Sequence, residues 1–408
     1  MVEQTKDITP ESDVIRNILT LRYNPSLSSI LPKKSWTDFQ ETKNNFSSEY
    51  IENLIINSIK KSFPNSCPKN ISIALSGGVD STLVLTLLRK VFPKISINAF
   101  SIKFANSVDE TQIAKTIAEN FDANHTSIYL ENYLSELPAA ISVIGMPFWD
   151  LHWYYVVKNA SKHSKYLASG DGGDELFGGY TFRYQKFLRI ITSKSTKIDR
   201  IKAYLDCHER DRVPDQDFLF GPKVDFSWDK IYQILSPYFD NPLPPINQVF
   251  LADYNGKLLY NFSQVNSRIH DSFGMKSISP LLDSEITSLA PGMPLSIKYD
   301  STSNIGKIIL RTILKKYGSD KFVSNEKLGF NVNTLNLWKS HGYELCKNYL
   351  TNSRSVKDGW INQDWILKYL HKDDLDIKYV NKFLGLLALE IWYRLFVTKE
   401  LSSNTKLT

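Results

Sequence analysis

Between residues 71 and 169, short apolar β-branched runs alternate with segments of helical periodicity, and this alternation limits the fold more than any other feature of the 408-residue chain. "ISIAL" (71–75) reads as a buried strand, and Leu83, Val84, Leu87, Leu88 and Val91 recur at helical spacing over 81–91. The pattern repeats as strand "SINAFSI" (96–102), helix "DETQIAKTIAENF" (109–121), strand "HTSIYL" (125–130), a helical region, and strand "KYLAS" (165–169). Strands joined by helices of this length form right-handed crossovers, so the expected class is α/β, a parallel twisted sheet with helices on both faces. Ahead of it, Ser47 or Ser48 caps a helix with Ile51, Leu54, Ile55 and Ile59 on one face. Beyond about residue 185 the pattern turns mainly helical, and "FLGLLALEIWYRLFV" (383–397), interrupted by Glu390 and Arg394, reads as a core helix. The chain thus divides into 1–47 as an extended lead-in, 48–185 as the α/β core, and 186–408 as a mainly helical part.

Composition removes several function classes. The 49 basic residues are scattered among 43 acidic ones for a net charge of +6, which gives nucleic-acid binding little support. Cys67, Cys207 and Cys346 lie far apart without metal-ligand spacing, as reduced thiols of a cytoplasmic protein would. The polar, acidic start "MVEQTKDITPESDV" is no signal peptide, and the longest apolar run is too short to span a bilayer.

The first strand-to-helix turn, "LSGGVDS" (75–81), leaves backbone N–H groups free at a helix start, where the helix dipole favours an anion such as phosphate. It is not a GxxxxGK[ST] loop. Ser76 and Ser81 supply hydroxyls, Gly77 and Gly78 let the backbone come close, and Asp80 is a hard oxygen ligand suited to Mg²⁺. An ordinary turn with Asp80 near a cap is the plainer alternative. A second constellation, "ASGDGGDELFGGY" (168–180), comes after the fourth strand and packs Asp171, Asp174 and Glu175 among five glycines. Carboxylates that close repel unless a cation lies between them. Both loops fall at the carboxyl edge of one sheet, so Asp80 and Asp174 can share a metal ion.

These segments resemble a known family. "LSGGVDS" is similar to the pyrophosphatase loop of the N-type ATP pyrophosphatases (PP-loop proteins), and "SGDGGDELFGGY" to the second signature of the asparagine synthetases and their relatives. "SPLLD" (279–283), "GKIILR" (306–311) and "NEKLGF" (325–330) resemble further elements of the same branch in the right order, so that the likeness runs from about 48 to 397. The resemblance implies a Rossmann-like, adenine nucleotide α-hydrolase-like fold, with ATP and Mg²⁺ as cofactors. It implies that a small-molecule carboxylate is adenylylated with release of pyrophosphate and then attacked by ammonia or an amine. Matched position by position, Ser76, Gly77, Gly78, Asp80 and Ser81 hold pyrophosphate, and Asp80 and Asp174 hold Mg²⁺. Leu75, Ile102, Ser169 and Gly170 hold adenosine. Lys327 sits on the α-phosphate, with Asp171 and Glu175 as further catalytic candidates.

The chain departs from the family pattern in two places. Val2 stands where glutamine-using members carry a nucleophilic cysteine, so the expectation is no glutaminase activity, with nitrogen from free ammonia, an amine or a separate glutaminase partner. Lys276, Ile278 and Asn325 replace a Glu, an Arg and an Arg of the family pattern, which, if these positions face the acceptor, disfavours aspartate. An ammonia-dependent asparagine synthetase acting on aspartate remains the nearest alternative, and a PP-loop RNA-modifying enzyme one of another class. A degenerate binding protein fits poorly with intact Ser76, Asp80, Asp174 and Lys327. A homo-oligomer is compatible with all of these.

Overall fold

The computed structural model describes residues 9–44, 46–64, 68–105, 107, 109, 111–323 and 333–408. Its chain order begins with helix α1 (Ser12–Leu21) and α2 (Ser48–Lys61), succeeded by β1 (Asn70–Ala74), α3 (Val79–Val91), β2 (Ser96–Phe104), α4 (Thr111–Asn120) and β3 (Asn124–Leu130). Helices α5 (Leu137–Ile144) and α6 (His152–Ala160) lead into β4 (Tyr166–Ala168), α7 (Gly173–Phe177) and α8 (Thr181–Ile190). A fifth strand, β5 (Lys276–Ile278), arrives only after a long helical stretch.

The five strands of the main sheet are parallel, in the order β3-β2-β1-β4-β5, and Tyr299–Asp300 and Ile305–Gly306 form a separate antiparallel pair. The chain first winds outward from β1 to β3 and then returns to lay β4 on the other side of β1. Such a reversal opens a crevice at the carboxyl ends of the two central strands, where α/β sheets hold their ligands. Here those strands are β1 and β4, whose ends carry the two glycine-rich loops.

Strand alternation divides the core. Ile71, Ile73, Ile97, Ala99, Ala168 and Ile278 face a cluster shared with α2, α3, α4 and the helix Ile308–Lys316. Phe100, Ile102, Phe104, Ile128 and Leu167 face a second cluster built with α5, α6 and the helix Ile377–Phe396. Apolar residues on both strand faces are what a parallel sheet covered on both sides requires. The predicted strands and helices of 71–169 are all present, Ser47 caps α2 by accepting from Tyr50 N–H, and the expected core helix is the inner part of Ile377–Phe396.

The lead-in differs from its expectation. Residues 12–21 form α1, whose Ile15, Ile18 and Leu19 are buried at helical spacing. Residues 22–44 are mostly irregular but are docked by side-chain amides: Asn247 donates to Phe39 O (3.2 Å), Asn255 to Lys34 O (2.8 Å) and Asn261 to Arg22 O (2.7 Å). These bonds satisfy carbonyls that lack secondary-structure partners.

Glu52 of α2 ties the first core face together. It is buried and accepts from Lys90 of α3 (2.6 Å), from Lys316 (2.8 Å) and from Tyr317. Burial pushes its carboxyl up, but the bonds from Lys316, Lys90 and Tyr317 outweigh that and bring it from an ordinary 4.5 down to about 2. A carboxyl depressed by folding stabilises the protein above its unfolded-state value, and that contribution is lost as pH falls towards the folded-state one. Glu52→Gln should therefore lower stability by on the order of 2 kcal/mol at pH 7. The difference from wild type should close between about pH 4.5 and 2 in urea-melt series; a pH-independent gap would contradict it.

Candidate active site

The carboxyl end of β1 runs directly into the loop Ser76–Gly78, and α3 begins at Val79 with Asp80 in its first turn. Within that loop Ser76 Oγ accepts from Gly78 N–H and lies 3.3 Å from Ser81 Oγ, which also accepts from Ser76 N–H (3.3 Å). Gly77 adopts the left-handed conformation, φ +77°. The loop is thus held by its own two hydroxyls and opens at a helix N-terminus. The carboxyl end of β4 runs into Ser169 and Gly170, and α7 begins at Gly173 with Asp174 and Glu175 in its first turn.

The two loops interlock. A Cβ at Gly173 would stand 2.3 Å from Asp80 Cγ, and one at Gly179 would stand 1.9 Å from Asp174 Oδ1 and 2.4 Å from Lys307 Cε. Neither position accepts a side chain without moving a carboxylate. Asp80 and Asp174 therefore meet, and what they meet on is Lys307: its Nζ lies 2.5 Å from Asp80 Oδ2 and 2.8 Å from Asp174 Oδ1. Burial would lower the lysine's proton affinity, but Asp174 and Asp80 together hold it well above the ordinary lysine range. Arg311, one helical turn on, donates to Gly306 O (3.1 Å); burial lowers its affinity for its proton and Asp80 raises it.

Beside this charged centre lies a polar shelf. Ser169 Oγ is 3.1 Å from Ser279 Oγ, which is 2.9 Å from Ser277 Oγ, so three hydroxyls cross from β4 to β5. Asp171 accepts from Asn266 Nδ2 at 3.0 Å. Burial raises the Asp171 carboxyl above its ordinary range against the opposing bonds from Ser169 and Asn266. Glu175, next to Asp174 in the first turn of α7, is 4% exposed and accepts from Tyr180 O–H, whose ring lies 3.4 Å beneath the Arg183 guanidinium. Arg183 in turn meets Asp253 at 3.1 Å.

Of the residues that the sequence marks as candidates, Ser76, Gly77, Gly78, Asp80, Ser81, Ser169, Gly170, Asp171 and Asp174 gather at the crevice between β1 and β4. Leu75 and Ile102 are buried in separate core clusters, so their side chains are not brought together. Ile278 is 2% exposed in the first cluster, while Lys276 is exposed at the amino-terminal start of β5. The missing arginine at 278 therefore removes a core position rather than a crevice-facing one. Lys327 and Asn325 lie outside the described residues, as does Cys67; Asn333, where description resumes, donates its N–H to Ser107 Oγ (3.0 Å) just beyond β2. Lys307, Arg311 and Asn266 are site residues that sequence reasoning misses. "GKIILR" stands out as a motif, but nothing local to it assigns the lysine a partner.

Among the described residues no group of three His, Cys, Asp or Glu side chains can hold a metal ion. A two-carboxylate site completed by substrate phosphates is the arrangement in which Mg²⁺ is commonly bound, and Asp80 and Asp174 fit it.

A parallel sheet whose chain reverses between two glycine-rich loops, one of them held by its own hydroxyls, defines an α/β protein of the Rossmann-like class. Residues 66–394 match the family model of asparagine synthase, and the chain belongs to that family. It is 23% identical over 358 residues to "Asparagine synthetase [glutamine-hydrolyzing] 1" of Bacillus subtilis, covering 80% of this chain and 56% of that protein. A "Putative asparagine synthetase [glutamine-hydrolyzing]" of Mycobacterium tuberculosis is 33% identical over 112 residues, 26% of this chain and 17% of the relative. The chain spans about half the length of the Bacillus relative, or less for the mycobacterial one. Among solved structures it is similar to NMN synthetase from Francisella tularensis, at 17% identity and TM-score 0.29, covering 52% of this chain and 94% of that one. It is likewise similar to the NH3-dependent NAD synthetase from Campylobacter jejuni, at 15% identity and TM-score 0.27, covering 49% and 99%. Among the described residues no helix is long and apolar enough to cross a membrane.

Proposed function

We propose that this chain is an ATP-dependent amide synthetase that adenylylates a small-molecule carboxylate, releases pyrophosphate, and passes the acyl group to ammonia or an amine with release of AMP. The observation that carries this reading is the meeting of Asp80 and Asp174 across two interlocked loops at the sheet's reversal. In it, Ser76, Gly77, Gly78 and Ser81 receive the pyrophosphate half of ATP, and Asp80 and Asp174 would hold Mg²⁺, which would supply charge neutralisation at the leaving group. Ser169 and Gly170 border the adenosine, and Lys327 stabilises charge developing at the α-phosphate. Asp171, held by Asn266, faces the acceptor side. A carboxyl whose proton affinity is raised by burial is suited to take the proton from an ammonium ion or a protonated amine, which frees the neutral nucleophile for attack.

The carboxylate oxygen attacks the α-phosphorus, the bond between α-phosphorus and the bridging oxygen breaks, and pyrophosphate leaves. An ATP analogue with an imido bridge between β and γ phosphates should support turnover, and one with a methylene between α and β should not. Release of ADP and orthophosphate would contradict the scheme. Glutamine should not replace ammonium in the pure protein. Thiol attack on glutamine needs an accessible thiolate, and both described cysteines are buried, Cys207 with its thiol pushed up to about 12 by burial and Cys346 with its thiol raised well above the ordinary range by the same cause. Glutamine-supported amide formation by the pure protein would overturn this part.

The names of the curated relatives favour aspartate as the acid, and Ile278 in the core removes one of the objections to it. Asn325, outside the described residues, and Lys276, exposed at the amino-terminal start of β5, carry the remaining two. If Lys276 excludes aspartate, Lys276→Glu should raise kcat/KM for aspartate relative to other acids; an unchanged ratio would make the lysine a bystander.

A further inference from the structure

Lys307 is anchored differently from an ordinary surface lysine. Its backbone is in the left-handed region, φ +58°, its N–H donates to Phe177 O (3.0 Å), and the residue is 9% exposed. The backbone is thereby fixed against the carboxyl end of α7, and the four-carbon stem reaches over Gly179 to place the ammonium between Asp80 Oδ2 and Asp174 Oδ1. Both aspartate side chains are largely enclosed, 14% and 20% exposed, so neither can turn out to water without breaking the interlock of the loops.

We propose that Lys307 is an internal stand-in for the divalent cation: it occupies the oxygens of Asp80 and Asp174 in the nucleotide-free protein and yields them only when a polyphosphate offers its ammonium another partner. This rests on the proposed assignment of Mg²⁺ to Asp80 and Asp174. The ammonium between them offsets part of the repulsion within the carboxylate pair, which helps to keep two enclosed anions together without a metal ion. A divalent ion arriving alone would have to share those oxygens with the ammonium, cation beside cation in a poorly solvated site. Nucleotide changes the balance, because the triphosphate supplies up to four negative charges and Lys is a compact point charge on a flexible stem that can follow them. The consequence is ordered binding: the metal ion enters with the nucleotide rather than before it.

The test is Mn²⁺ binding, monitored by electron paramagnetic resonance of the free ion, to the full chain as wild type, Lys307→Met, Lys307→Arg, Asp80→Asn and Asp174→Asn, each checked for folding by its thermal transition. Without nucleotide, Lys307→Met should bind one Mn²⁺ at least about tenfold more tightly than wild type. Lys307→Arg, which keeps a cation in place, should bind no better than wild type. With α,β-methylene ATP the wild type should gain a bound ion that Asp80→Asn and Asp174→Asn lose. Should Lys307→Met not fold, the wild type and Lys307→Arg decide the matter alone, since tight nucleotide-free Mn²⁺ binding by either that Asp174→Asn removes would overturn the proposal. Bound Mn²⁺ that neither aspartate variant alters in the presence of the analogue would overturn the metal assignment itself, and the proposal with it.

Discussion

Asp80→Ala and Asp174→Ala should each lower carboxylate-dependent ATP–pyrophosphate exchange by about a thousandfold or more, and the double variant should be scarcely worse than either single. The two carboxylates meet at one ammonium, 2.5 and 2.8 Å from its nitrogen, and in the proposed mechanism they serve one metal ion. Residues that act as a unit lose their function together, so the second deletion has little left to remove. Exchange rates of the four proteins, measured at saturating Mg²⁺, check this directly. Losses that multiply would mean that the aspartates act independently. Folding needs a separate check, because either single deletion leaves Lys307 with one buried partner instead of two. The thermal transitions of the variants should remain cooperative.

The largest expected effect on stability lies far from the crevice. Glu390, in the middle of the helix Ile377–Phe396, has no exposed surface and accepts five bonds: from Ser353 Oγ (2.7 Å), Ser355 Oγ (3.0 Å), the N–H groups of Arg354 (2.8 Å) and Ser355 (3.1 Å), and Arg394 Nε (2.7 Å). A carboxylate can accept at both oxygens, and here it satisfies the start of the short helix Arg354–Lys357 while pairing with a cation on its own helix. Removing it strands two backbone donors, two hydroxyls and a guanidinium that is only 20% exposed. Glu390→Ala should therefore cost about 3–5 kcal/mol, the range for breaking a buried pair by deleting one partner. Glu390→Gln, which keeps acceptance at one oxygen, should cost less. Urea melts decide it: a loss under about 1 kcal/mol, the scale of a surface pair, would show that water replaces the carboxylate.

Four of the five strands and the helices between them are legible because apolar spacing over 71–169 switches cleanly between two periods. The fifth is not. Lys276–Ile278 is three residues long, with an exposed lysine and an exposed serine, and its strand character comes from pairing with β4 rather than from its own composition. Helix α1 is hidden by the polar residues around Ile15, Ile18 and Leu19, which take their burial from the helix Ile377–Phe396 and its neighbours. At the crevice, both aspartates are readable from loops that each carry glycines and hydroxyls within a few residues. Lys307 is not, since its partner Asp80 lies 227 residues away and the contact depends on the close approach that Gly179 permits. Ile278 shows the reverse error: a position marked as special by its motif is, in the fold, a core residue.

The central claim is that this crevice activates a carboxylate by adenylylation, and the measurement that bears on it most directly is exchange of labelled pyrophosphate into ATP by the pure chain across a panel of carboxylic acids, with ammonia and amines left out. Exchange that appears with one acid or a small group of acids, requires Mg²⁺ and is abolished in Asp80→Ala is the predicted result. Exchange independent of any acid, or cleavage of ATP to ADP whenever an acid stimulates turnover, would contradict it.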